Sequence, residues 1–139
     1  MRVVSIMTEK VLKVRIDDSI GTMRDIFENV EFHHLLVVEG RKLVGILSDR
    51  DILRVISPFL HSLSEKDRDL TILNKKVHQI MTRKLITVGK NTNIEEAARL
   101  LLEKNISCLP VTSPEGEIDG IVTWKDILKF SIQGKTLNS

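Results

Sequence analysis

The chain lacks a second cysteine, a long apolar run and a long run of like charge. A single thiol, Cys108, excludes an internal disulfide and fits a reducing compartment. Crossing a bilayer takes about 20 consecutive apolar residues, and no stretch here approaches that, so no membrane is expected as a partner. The opening MRVVSIMTEKV carries charge too early and too often for a signal-peptide apolar region. These absences make a cytoplasmic protein the expectation. The 21 Lys and Arg are interspersed with 19 Asp and Glu, for a formal net charge of +2. A binder of phosphate backbones normally shows a basic stripe, so nucleic acid is not an expected partner. Also missing are a nucleophile paired with a base, a carboxylate dyad and a metal-ligand cluster, so no enzyme is expected.

What is present is repetition. Ile6-Met7-Thr8 returns as Ile80-Met81-Thr82 at an offset of 74, which also pairs Val14 with Val88, Ile20 with Ile94, Leu35 with Leu109 and Val37 with Val111. After one inserted residue the offset becomes 75, and Gly45-Ile46 matches Gly120-Ile121 while Asp51-Ile52-Leu53 matches Asp126-Ile127-Leu128. The 139 residues, 42% hydrophobic and 29% charged, are ordinary for one soluble domain. One copy alone, about 50 residues, would bury too little surface to be stable. The two copies are therefore expected to fold against each other. The chain is expected to divide into repeat 1 (1–57), a charged connector (58–76), repeat 2 (77–132) and a tail (133–139).

Each copy reads as strand, helix, strand, strand, helix. The first strand is Val11–Ile16 or Leu85–Val88. Asp17-Asp18-Ser19 offers capping side chains, and Ile20, Met23, Ile26, Phe27 and Val30 then fall at helical spacing. In the second copy Asn93 with Glu96 resembles a capping box, ahead of the stripe Ile94, Ala97, Ala98 and Leu101. Two apolar runs around Glu39-Gly40-Arg41-Lys42, and again around Ser113-Pro114-Glu115-Gly116, read as hairpins. Closing helices follow from Asp51 to Ile56 and from Asp126 to Phe130. Ser57-Pro58 should stop the first of these, and Leu70, Leu73 and Val77 mark the inner side of a connecting helix. The class is mixed α/β (α+β), sheet and helices in layers.

The strongest local signal is Gly45-Ile46-Leu47-Ser48-Asp49-Arg50-Asp51 with its copy Gly120-Ile121-Val122-Thr123-Trp124-Lys125-Asp126. Each puts a hydroxyl at a strand end and an Asp three residues on, at the start of a helix. A helix N-terminus favours a phosphate through its unpaired N–H groups and dipole. A carboxylate can accept both hydrogen bonds of a ribose diol, and Arg50 and Lys125 could add positive charge toward the phosphate. The same spacing is also a capping box, in which hydroxyl and acid serve only backbone donors. The pattern alone does not choose between them.

The whole chain resembles a tandem pair of cystathionine-β-synthase (CBS) domains, a Bateman module. The resemblance rests on the two Ile-Met-Thr starts, on Leu35-Leu36-Val37-Val38 and Cys108-Leu109-Pro110-Val111, and on the two Gly-apolar-apolar-[Ser/Thr]-x-x-Asp segments. It covers residues 5–56 and 79–130. No one motif is specific; their order and spacing, twice over, is. The connector and tail resemble stand-alone acetoin-utilisation-type CBS proteins. The resemblance implies two β-α-β-β-α repeats packed pseudo-symmetrically through their sheets, with two clefts that take adenosine-containing ligands such as AMP, ADP, ATP or S-adenosylmethionine. No cofactor is required.

Carried over by position, one cleft would use Ser48 and Asp51, facing Lys84, Leu85, Ile86, Ser107, Cys108 and Leu109. The other would use Thr123 and Asp126, facing Lys10, Val11, Leu12, His33, His34 and Leu35. Arg50 and Lys125 would stand beside the phosphates. Departures from the family pattern touch mainly the hairpins: Leu36 stands in place of the usual Pro, Glu39 in place of Asp, and Thr112-Ser113 in place of an apolar-Asp ending. The resemblance further implies a homodimer through the outer faces of 20–30, 50–56, 94–104 and 125–130, and an unidentified regulated protein.

Other residues invite chemistry less well. His33 and His34, with Cys108 or His78, suggest a metal, but adjacent histidines entering a strand point to opposite faces. One imidazole facing a nucleotide phosphate is the better reading. Cys108 has no evident base and reads as a small buried filler. Trp124 suits either base stacking or a subunit interface. Two functions remain open on the sequence: an adenosine-ligand sensor, and a ligand-independent interaction or scaffold subunit in which both Asp residues are caps.

Overall fold

The computed structural model describes residues 1–29, 33–56 and 74–133. Val30, the Ser57-Pro58 stop, Leu70, Leu73 and most of the tail lie outside the described residues. The chain divides into two compact units that are not the two sequence repeats. A central unit spans Leu12–Leu85, and a terminal unit joins Met1–Val11 to Ile86–Ser139. The opening segment of each repeat has left its own repeat and folds with the other.

The central unit contains β1 (Lys13–Arg15), α1 (Ile20–Asn29), β2 (His34–Glu39), β3 (Lys42–Ser48), α2 (Asp49–Ile56) and the short α3 (Val77–Ile80). Val14 is the inward residue of β1, and β1 runs parallel to β2 with Val14 opposite Val37. The hairpin β2–β3 pairs Leu35 with Leu47, with an irregularity between Val37 and Val38. Helix α1 starts where Ser19 Oγ accepts from Thr22 N, while Asp18 accepts from Arg15 N and closes the preceding turn. Its Ile20 and Met23 are fully buried with Leu35, Val37, Leu47, Ile52, Val77 and Met81. Burying one such side chain contributes roughly 1.5–3 kcal/mol, so the apolar stripe holds this helix more firmly than its propensity does.

In the terminal unit Val3–Ser5 forms a 3-10 turn ahead of α4 (Ile94–Glu103), β4 (Cys108–Thr112), β5 (Ile118–Thr123) and α5 (Trp124–Ile132). The core gathers Val3, Ile94, Ala97, Leu101, Leu109, Val111, Val122, Ile127 and Phe130. Two elements depart from what the sequence pattern predicts. No strand forms over Leu85–Val88; Val88 alone bridges Val111 in parallel. In the central unit Leu36 N donates to Leu12 O at 3.0 Å. Pro110 stands in the position of Leu36 and has no N–H to give, so the ladder is cut short. Asn93 is the N-cap of α4 but makes no side-chain capping bond. Its Oδ1 accepts instead from Arg2 Nη1 at 2.8 Å.

The exchanged segments dock in matching fashion. Thr82 and Ile46 exchange both backbone hydrogen bonds, at 2.9 and 3.1 Å, and Thr8 and Ile121 do the same at 2.8 and 2.9 Å. Each contact has a glycine next to the bridge. A Cβ on Gly120 would lie 2.6 Å from Thr8 O, and one on Gly45 would overlap Met81 Sδ. Each Ile-Met-Thr motif therefore works as a clasp against the Gly-Ile of the other repeat.

Candidate functional site

The clasp brings both repeats to each Ser/Thr-x-x-Asp end, within a single unit. In the terminal unit Thr123 N donates to Asp126 Oδ2 at 2.9 Å and Asp126 N donates to Thr123 Oγ1 at 3.4 Å, a reciprocal capping box on α5. Thr8 Oγ1, from the other repeat, donates to Asp126 Oδ1 at 3.1 Å. In the central unit Ser48 N donates to Asp51 Oδ2 at 2.8 Å and Asp51 N donates to Ser48 Oγ at 3.2 Å, capping α2. Arg54 Nη1 stands 3.9 Å from the other oxygen, Asp51 Oδ1. The capping chemistry is therefore realised at both ends. It engages one carboxylate oxygen through backbone N–H and leaves a half-exposed acid at a helix N-terminus, where positive dipole collects.

Strand register sets what surrounds each acid. His34 lies opposite Ser48, and Asp49 N donates to His33 O at 3.1 Å. At the equivalent place Cys108 lies opposite Thr123, and Trp124 N donates to Ser107 O at 3.4 Å. His33 and His34 thus fall in the unit of Ser48 and Asp51, and Ser107, Cys108 and Leu109 in the unit of Thr123 and Asp126. Lys10 and Val11 belong to the terminal unit, with Ile86; Leu12, Lys84 and Leu85 belong to the central one. Arg50, Lys84, Lys10 and Lys125 are exposed, whereas Leu109 is fully buried and Leu12, Leu85, Ile86 and Val11 are half-buried. The residue that sequence reasoning missed is Thr8; its counterpart Thr82 makes the matching backbone exchange with Ile46. Both had been singled out as repeat markers, and the signal was their recurrence beside Met.

The electrostatics differ between the ends. His33 Nδ1 stands 3.0 Å from Asp49 Oδ2, a pairing exposed on both sides. Burial lowers the pKa of His34 below its ordinary 6.5, with Asp49 pulling upward, His33 downward and Asp51 upward. Burial pushes the Cys108 thiol up to about 12, and the Asp126 carboxylate adds to the rise. A thiol so far from ionisation is a packed filler at neutral pH. Trp124 is partly buried against the terminal core. Among the described residues no group of three or more His, Cys, Asp or Glu could hold a metal ion, and no helix is long and apolar enough to cross a membrane. An open cavity of about 790 Å³ lies elsewhere in the terminal unit, lined in part by Lys90, Thr92, Glu96, Ser113 and Asp119. None of the expected site residues lines it.

Comparison with known proteins places these ends in context. The family described as CBS domain matches twice, over residues 3–58 and 77–133. A CBS domain-containing protein of Dictyostelium discoideum is 31% identical over 130 residues, covering 92% of this chain and 89% of that one. The CBS domain pair of protein MJ0100, solved in complex with 5'-methylthioadenosine and S-adenosyl-L-methionine, is 26% identical at a TM-score of 0.80, covering 97% of this chain and 98% of that one. CBSX2, solved in complex with AMP, is 28% identical with the same TM-score of 0.80 and the same coverage of 97% and 98%. An acetoin utilisation protein from Vibrio cholerae shares the fold at 22% identity, a likeness of fold alone. Other curated relatives are much longer: the chain spans 36% of an uncharacterized protein and 22% of an inosine-5'-monophosphate dehydrogenase, both of Methanocaldococcus jannaschii.

Proposed function

Because this chain belongs to the CBS domain family and carries two copies in tandem, we propose that it is a regulatory module that senses an adenosine-containing ligand. The ligand, an adenine nucleotide or S-adenosylmethionine, is held at the Ser48–Asp51 and Thr123–Asp126 ends. The ribose diol meets the Asp carboxylate, and a 5' substituent meets the helix N-terminus beside Arg50 or Lys125. Lys84, Leu85, Ile86 and Ser107 to Leu109, with Lys10 to Leu12 and His33 to Leu35, supply the walls of these sites. No catalytic step is part of this role.

The observation that carries the reading is that each acid sits in one unit with a segment of the other repeat, as Thr8 does on Asp126. A ligand bound there touches both repeats and can bias their arrangement. Such a switch requires unequal affinity for two states, not binding alone. Relatives that share 97% of this chain's length were solved with AMP and with S-adenosyl-L-methionine, which supports the ligand class. The output passes through a homodimer and an unidentified protein. Leu53 and Leu128, equivalent in the two repeats and 60% and 56% exposed, support helix faces covered by a second copy.

One observation favours the scaffold reading instead: the caps and Thr8 already give partners to both oxygens of Asp126. A thermal-shift screen with AMP, ADP, ATP, S-adenosylmethionine and NAD separates the two. Ligand at a hundredfold excess over Kd stabilises by about 2.7 kcal/mol, a shift of several degrees. A flat response to all five leaves the scaffold reading standing.

A further inference from the structure

The repeat equivalence makes the two ends directly comparable, and their chemistry diverges where a 5' substituent would sit. His33 and Ser107 occupy the same position, each giving its carbonyl to the first N–H of the helix that carries the acid, Asp49 N in one case and Trp124 N in the other. One end thus pairs an imidazole with an exposed carboxylate at 3.0 Å, where the other has a hydroxyl and an indole. An imidazole whose Nδ1 is held by a carboxylate turns its Nε2 outward, and when protonated it donates from there to an anion. His34 and Cys108 are the next equivalent pair. Arg50 matches Lys125, and after the bridging threonines Arg83 stands where Glu9 does. Arg83 is anchored by its Nη2 on His78 O at 2.7 Å.

The acids diverge as well. Thr8 Oγ1 lies on Asp126 Oδ1 at 3.1 Å, whereas the outer oxygen of Asp51 has Arg54 Nη1 at 3.9 Å. The central end therefore combines cationic groups with a carboxylate faced by an arginine rather than a hydroxyl, and with Asp49 held on His33. The terminal end combines a hydroxyl-held carboxylate with a half-buried aromatic. A phosphate monoester gains charge-assisted hydrogen bonds at the first and finds fewer at the second.

We propose that the Ser48–Asp51 end selects a phosphorylated adenosine ligand through His33 and Arg50, while the Thr123–Asp126 end takes the nucleoside without regard to phosphate. The proposal rests on the adenosine-sensing reading and assigns a ligand class to each of its sites. His33 is largely exposed, so replacing it leaves the fold intact.

Calorimetric titration of the full chain with AMP and with adenosine tests it, because the two probes differ only in the phosphate. Asp126→Ala isolates the central end and Asp51→Ala the terminal one. In Asp126→Ala, AMP should bind at least tenfold more tightly than adenosine. In Asp51→Ala the two should bind within about threefold of each other. Adding His33→Asn or Arg50→Ser to Asp126→Ala should lower the AMP-to-adenosine ratio at least fivefold while adenosine binding holds. Equal ratios at the two ends, or a ratio unmoved by His33→Asn and Arg50→Ser, overturn the assignment while the sensor reading survives. Absence of binding by both probes to the wild type overturns the assignment, and the sensor reading falls with it only when ADP, ATP and S-adenosylmethionine also fail to bind.

Discussion

Thr8 Oγ1 donates to Asp126 Oδ1 at 3.1 Å, joining residues 118 positions apart. One end of this bond belongs to the clasp that ties repeat 1 into the terminal unit. The other end belongs to the cap of the last helix. The bond therefore reports on the fold and on the candidate site at once.

A double-mutant cycle measures it. Hydrogen bonds to a charged group are worth about 1.5–3 kcal/mol when buried, and this one is only partly buried, so Thr8→Val and Asp126→Ala should couple by about 1 kcal/mol. Urea unfolding of the four proteins gives the value. Additive effects would mean that the clasp and the cap are independent.

The glycines beside the clasps predict unequal costs. At Gly120 an added methyl meets a backbone carbonyl, Thr8 O, which can move only with the backbone of its segment. At Gly45 it meets the thioether of Met81, which can shift rotamer. Gly120→Ala should therefore destabilise by about 2–3 kcal/mol and Gly45→Ala by less, on the scale of overpacked cores. Denaturant midpoints rank the two, and the reverse order would contradict the packing described.

Both helix caps contribute without any ligand. Thr123→Ala and Ser48→Ala should each lower stability by about 1 kcal/mol, the usual cost of losing an N-cap hydroxyl. Ligand-free unfolding curves check this, and they also give the baseline for reading any loss of binding in Asp variants.

The repeat, the order of elements and the two Ser/Thr-x-x-Asp ends were legible in the sequence, because apolar periodicity and capping spacing are local signals. What was not legible depended on distant partners. Asn93 has the spacing of a capping box, but Arg2 from the chain's start takes its side chain. Leu85–Val88 has strand composition, but Pro110 withholds the N–H that pairing needs. The exchange of Ile-Met-Thr segments left its trace only as a recurring motif, and so Thr8 was read as a marker rather than as part of a site. His33 and Ser107 were assigned by resemblance to walls of the opposite copy, while the register sets each beside its own copy's acid.

Stability should respond to pH in two separate windows. His34 has a folded pKa below its ordinary 6.5, chiefly through burial, so the unfolded chain takes up a proton first and stability falls as pH drops below about 6.5. His34→Gln should flatten unfolding free energy between roughly pH 5 and 6.5. Cys108 titrates near 12 in the fold, against an ordinary 9.0. Its contribution is complete below pH 9 and is lost as pH rises from there. Cys108→Ser should remove that alkaline slope in urea unfolding between roughly pH 8 and 10.

The most direct test of the sensing role is calorimetric titration of AMP into the wild type, Asp51→Ala, Asp126→Ala and the double variant, each folded at the measuring temperature. AMP should bind the wild type, lose at least tenfold in affinity when Asp51 is replaced, and show no binding to the double variant. A wild type that takes no AMP or other adenosine ligand, or a double variant that binds AMP as the wild type does, would contradict a sensor built on these two acids.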